Sequence, residues 1–199
     1  MGVIRALPGG NAPPPGGSWR VRRLDGGGTA RDAVLRHLRA LDADDRYLRF
    51  GHTASDATLA DYVAALDFAR DGILAVGAGT PSRGVLIGLA HVALQPPQAE
   101  FGLSVLPAWR RRGLGRRLFV AAMACAAGEG LAALACMTGN ASVLNMAREL
   151  GFSIRLGAGE ACATIALSGA PADERRVREA WETRDERGAR SERAERGAA

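Results

Sequence analysis

The sequence predicts an α/β (α+β) fold, and three stretches carry that expectation. In residues 99–118, Phe101, Leu103 and Val105 alternate with smaller or polar residues, the period of a half-buried strand. Pro107 ends that strand because it has no N–H to give a ladder. Apolar residues then fall at Leu118, Phe119, Ala122, Met123 and Ala126, which is helical spacing. Residues 131–137 run apolar without a break, as a strand covered on both faces does. Val34, Leu35, Leu38 and Leu41 form a second helical stripe.

The remaining elements follow from local chemistry. Residues 1–18, with Pro8, Pro13, Pro14 and Pro15, cannot bury a core and are expected to be a disordered leader. Residues 19–24 read as a first strand. Thr29 is placed to cap the first helix, with Asp32 at the capping-box position. Residues 42–50 start a second helix, with Leu48 and Phe50 toward the core and Arg46 and Arg49 left open. Ser55 or Asp56 caps a third helix, expected through Phe68, with Leu59, Tyr62, Val63 and Leu66 on one face. Strands are expected at residues 73–77 and 85–94, joined by a hairpin loop at 80–84. Gly128 and Gly130 end the helix that follows the central strand. Residues 141–150 make the last helix, with Val143, Leu144 and Ala147 inside, and residues 152–156 and 161–167 a closing strand pair. Residues 173–196 carry eight arginines and eight acids, so 169–199 reads as a charged, partly helical tail with Trp181 as its apolar anchor. Residues 19–168 are left as one domain, long enough to bury a core.

Composition narrows the function. Arginine supplies all 26 basic residues, a compositional bias, and the net charge is +5, which suits an anionic cofactor or acidic partner. Cys125, Cys136 and Cys162 have no metal-ligand spacing and read as reduced thiols of a cytoplasmic protein, and no metal is expected. No apolar run is long enough to span a membrane, and the first residues lack the apolar core of a signal peptide. His37 and His52 read as helix-surface and loop residues.

The turn between the central strand and its helix carries the chemistry. Gly113 and Gly115 let the backbone bend sharply, and a helix start presents N–H groups and a positive dipole end to an anion. Arg110, Arg111, Arg112, Arg116 and Arg117 crowd there although cations disfavour a helix N-terminus. A bound polyanion would reverse that penalty. On the loop alone, an anion site and an exposed basic turn are equally open. A dinucleotide fingerprint fails because Leu118 stands where a small residue is needed. A P-loop fails because the chain has no lysine.

The pattern Arg110, Gly113, Gly115 resembles the acetyl-CoA loop of the GCN5-related N-acetyltransferase (GNAT) superfamily. Residues 140–152 resemble that superfamily's asparagine, helix and Gly-Phe ending, from Asn140 to Gly151 and Phe152. Arg46, Tyr47, Leu48, Arg49 and Phe50 resemble a subgroup that includes the acetyltransferase modules of bacterial protein-lysine acetyltransferases. The resemblance covers about residues 19–167. It implies the GNAT fold: a central, mostly antiparallel mixed sheet of six to seven strands, splayed at the fourth and fifth, with about four helices.

The same resemblance implies the site. The backbone of Leu103, Ser104 and Val105 would hold the pantetheine arm of acetyl-CoA, and the Val105 N–H would polarise the thioester. The amides of Arg111, Arg112, Gly113, Leu114, Gly115 and Arg116, with Arg110, would take the diphosphate. Asn140 would meet the arm near its thiol end. An acceptor amine must be neutral to attack, so a base is needed. Glu100 is the first candidate, as catalytic base or as an exposed strand-start residue. His91 is the second. The family's tyrosine acid is replaced by Ala147, so water would protonate the thiolate.

The function expected is acetyl transfer to a primary amine, a protein lysine or a small molecule. The alternative is a module that senses acyl-CoA without turnover. A nucleic-acid partner ranks last because only Trp109 interleaves the arginines. A homodimer is left open.

Overall fold

The computed structural model describes residues 19–78, 85–156 and 161–167. The expectations for the leader, the 80–84 loop, the tail and Trp181 lie outside the described residues. Seven strands form one sheet: β1 (Arg22–Arg23), β2 (Gly72–Ala78), β3 (Val85–Gln95), β4 (Gln98–Val105), β5 (Ala133–Thr138), β6 (Ser153–Leu156) and β7 (Ala161–Ala166). Their spatial order is β1-β2-β3-β4-β5-β7-β6, and every pair is antiparallel except β4 with β5. Five α-helices complete it: α1 (Gly28–Arg39), α2 (Ala43–Phe50), α3 (Asp56–Ala65), α4 (Leu114–Gly128) and α5 (Ala141–Glu149). The expected mixed, splayed sheet is the observed one, and the five helices fall on the five stretches read as helical.

Two apolar clusters sit on the two faces of the sheet. Val34 and Leu38 of α1 and Leu59 and Val63 of α3 pack on Ile73, Ala75 and Leu89. On the other face, Leu114, Leu118, Phe119, Ala122 and Ala126 of α4 pack with Phe101, Leu134 and Phe152. Phe119 meets Phe101 and Phe152 edge-on, with centroids 4.6 and 5.0 Å away.

Several expectations need correction. The first strand pairs only at Arg22–Arg23. Helix α1 starts a residue before Thr29, and its N-cap is Gly27, with no side-chain cap. Helix α3, capped by Ser55 as expected, stops at Ala65, because Leu66 turns to extended backbone. Strand β5 is not covered along its whole length: Met137 is 42 % exposed. Leu48, expected in the core, is 39 % exposed, and its neighbour Tyr47 is 56 % exposed. His37, expected on a surface, is 1 % exposed.

Candidate active site

The parallel pair β4–β5 makes the site. Gln98, Ala99 and Glu100 pair with Ala133, Leu134 and Ala135, and there the pairing stops. β4 continues against β3 as far as Val105. The two parallel strands therefore part beyond Glu100 and leave a sheet edge inside the molecule. Leu106 N–H donates to Ile87 O at 3.0 Å, toward β3. Strand alternation turns the N–H groups of Leu103 and Val105 the other way, toward the gap. A cleft of about 540 Å³ opens there, bordered by Leu48 and Arg49 of α2, by Leu103 and Val105, by Met137 and Asn140, and by the first turn of α4. That volume falls in the range of small-molecule sites.

One end of the cleft is the turn into α4. Pro107–Trp109 forms a 3₁₀ turn, and the chain then passes through Arg111 at φ 61° and Gly113 at φ 75°. Left-handed residues on either side of Arg112 curl successive amides toward one side, an arrangement suited to anions. Gly113 is the N-cap of α4, and no side chain caps its first turn. Gly115 borders the cleft, and a Cβ there would lie 3.3 Å from Met146 Cε, so its missing side chain also leaves room for α5 beside α4.

The arginines of this turn are largely held by the protein. Arg110 Nε donates to Val105 O at 3.0 Å, and its Nη2 donates to Asp45 of α2. Arg116 pairs with Glu149 of α5 at 2.8 Å. The Arg112 guanidinium lies 5.3 Å from the Trp109 ring centre. These contacts fasten the turn to its neighbours, while exposed Arg111 borders the cleft beside the backbone amides.

The floor of the cleft is the polar face of β4. Glu100, Gly102 and Ser104 share that face, opposite Phe101, Leu103 and Val105. Glu100 is half-buried, opposite Ala93 and Ala135. Ser104 O–H donates to His37 Nε2 at 2.9 Å, and His37 Nδ1–H donates to Leu86 O at 2.9 Å. The carbonyl can only accept, which fixes the tautomer. Burial is the main reason that the His37 pKa falls from 6.5 to about 4.

His91 is adjacent, opposite Gly102 in the ladder. Its Nε2–H donates to Asp71 Oδ2 at 2.9 Å, and its Nδ1 accepts from Tyr62 O–H at 2.7 Å. Burial lowers its pKa, partly opposed by the Asp71 hydrogen bond. Both nitrogens are thus engaged, so His91 reaches a substrate only through Tyr62. Across the gap, Asn140 caps α5 by accepting from Ser142 N–H at 2.9 Å. Among the described residues no cluster of His, Cys, Asp or Glu could hold a metal, and no helix is long and apolar enough to cross a membrane.

Residues 35–152 match the family model described as the acetyltransferase (GNAT) family. The chain belongs to that family. Its fold is similar to the GNAT domain of S. lividans PAT, with 19 % identity, TM-score 0.62, and 77 % of this chain and 93 % of that one covered. It is also similar to a phosphinothricin acetyltransferase from Sinorhizobium meliloti, solved in complex with AcCoA (16 %, TM-score 0.58, coverage 77 % and 91 %). The ribosomal-protein-S18-alanine N-acetyltransferase from Escherichia coli aligns likewise (17 %, TM-score 0.57, coverage 77 % and 97 %). No curated protein sequence matches the chain significantly.

In this GNAT domain the structure gathers most of the residues that the sequence singled out. Leu103, Ser104, Val105, the turn from Arg110 to Arg116, and Asn140 all border one cleft, apart from Arg112. Glu100 and His91 are not among the residues that line it: Glu100 lies on the floor strand before Gly102, and His91 on the strand beside it. Ala147 is fully buried against the sheet, so the α5 position that lacks a hydroxyl does not face the cleft. Sequence reasoning missed His37 and left Arg49 open. For Arg49 a signal was present: a glycine within an alternating strand marks a close approach, and Gly102 is where Arg49 lies.

Proposed function

We propose that this GNAT chain transfers an acetyl group from acetyl-CoA to a primary amine, on a protein lysine or a small molecule. The observation that carries the reading is the parted strand pair running into a helix start that no side chain caps. The amides of Arg111 to Arg116 would receive the diphosphate, and Leu103 and Val105 the pantetheine arm. Asn140 would lie near the thiol end. The AcCoA complex of the phosphinothricin acetyltransferase supports this use of the fold.

Chemistry then follows from the floor strand. The neutral amine nitrogen attacks the thioester carbonyl, and the developing oxyanion takes a hydrogen bond from Val105 N–H. A C–N bond forms, the C–S bond breaks, and the amine's proton passes to Glu100 directly or through one water. With alanine at 147, water protonates the departing thiolate. His91 is a positioning residue in this scheme, because its two nitrogens are engaged.

A thiol-release assay with acetyl-CoA, run against amines and lysine peptides, tests the proposal. Acceptor-dependent release with one acetylated amine per thiol is expected. Binding of coenzyme A with no release from any acceptor would replace it by the second reading, a non-catalytic acyl-CoA sensor.

A further inference from the structure

We propose that Arg49 selects the acceptor, and that the acceptor carries a carboxylate close to the amine it presents. The inference rests on the acetyltransferase reading and adds a substrate class to it. Arg49 lies in the last turn of α2 and borders the cleft. Its guanidinium occupies the place of a side chain on Gly102: a Cβ there would lie 2.2 Å from Nη1 and 2.6 Å from Cζ. Gly102 sits between Glu100 and Ser104 on the same face of β4. The cation therefore lies on the floor strand itself, over the residue two positions after the one proposed to take the acceptor's proton.

A directional hydrogen-bond chain holds it there. Arg49 Nη2 donates to Tyr62 Oη at 3.3 Å, Tyr62 O–H donates to His91 Nδ1 at 2.7 Å, and His91 Nε2–H donates to Asp71 at 2.9 Å. Asp71 can only accept, so every donor in the chain is fixed. The chain's one negative charge sits at its far end, three links from the guanidinium.

What Arg49 lacks is a counterion. Arg110 pairs with Asp45, Arg116 with Glu149 and Arg46 with Asp56. Among the described residues no carboxylate pairs with Arg49, and its Nε is buried with no hydrogen-bond partner. The Phe50 ring, 5.1 Å from Cζ, offers a π-face and no charge. A half-buried cation without an anionic partner is unfavourable, and a planar guanidinium matches a carboxylate in both charge and shape. The diphosphate is assigned to the turn that follows Pro107, whereas the Arg49 guanidinium lies over Gly102 within the strand, and the α2 residue that reaches that turn is Asp45, which pairs with Arg110. The remaining visitor is the acceptor. The same cation repels an acceptor whose amine is flanked by positive groups, so selection works by attraction and by exclusion.

The test compares acceptor pairs that differ only in carboxylate against amide. These are lysine peptides with aspartate or asparagine beside the lysine, and free amino acids against their amides, at equal concentration of neutral amine. In the wild-type chain the acid member should lead in kcat/KM by about tenfold or more, mainly through KM, as expected for one charge-assisted pair. Arg49→Met should bring that ratio near one, and Arg49→Lys should keep part of it. Gly102→Ala, which forces the guanidinium away while leaving Arg49 in the chain, should also collapse it. A ratio near one in the wild-type chain, or one that survives Arg49→Met, overturns the inference while thiol release upholds the acetyltransferase reading. No release with any acceptor overturns both.

Discussion

The two faces of β4 follow different rules. On one, Phe101, Leu103 and Val105 pack against α4, and any apolar side chains of matching volume would serve. On the other, each residue is answered by a distinct element. Ser104 is answered by His37 of α1, and Gly102 by Arg49 of α2, while Glu100 faces the region where the strands part. One face holds the strand in place and the other gives it chemistry. Side chains a single residue apart should therefore fail in different assays.

The largest effect should come from the packing face. Phe101→Ala removes a ring that is buried against Phe119 and should cost about 3–5 kcal/mol in urea unfolding, with the acceptor preference of the folded fraction retained. A change in preference with little loss of stability would erase the contrast between the faces.

On the polar face, His37 ties stability to pH. Its pKa is lowered from 6.5 to about 4, so the fold favours the neutral ring. The contribution is fully present above pH 6.5 and is lost as pH falls from 6.5 toward about 4, by about 3 kcal/mol in total. In His37→Gln that part of the pH dependence should disappear from unfolding curves. A wild-type stability that stays level over this range would contradict the Ser104–His37–Leu86 bridge.

Glu100→Gln should act on turnover instead. A lost general base lowers kcat by about 100-fold or more, while acetyl-CoA affinity and unfolding midpoint stay close to wild type. Equal kcat in the two proteins would remove Glu100 from the mechanism and favour the sensor.

The packing face was legible in the sequence and the polar face was not, for a physical reason. Period 2 in residues 101–105 and the stripe from Leu118 to Ala126 are local patterns, and burial follows directly from them. The Gly113 turn was legible for the same reason, because a helix start after glycine fixes where its amides point. His37 meets Ser104 across 67 residues, and Tyr62 meets His91 across 29. No spacing rule links such partners, and a histidine among arginines on an amphipathic helix looks solvated until β3 and β4 are in place. Gly115 borders the cleft, and its absent side chain also leaves room for Met146, a contact that local spacing does not reveal. Tyr47 and Leu48 lie outside the core because the cleft begins beside α2, and the sequence does not show where two strands part.

Calorimetric titration of the full chain with coenzyme A tests the central claim most directly. The parted strands and the uncapped turn predict saturable binding at one site, weakened about tenfold or more in Gly113→Val, where a β-branched residue must take φ 75°. No heat of binding to the wild-type chain, or an affinity indifferent to Gly113→Val, would contradict it.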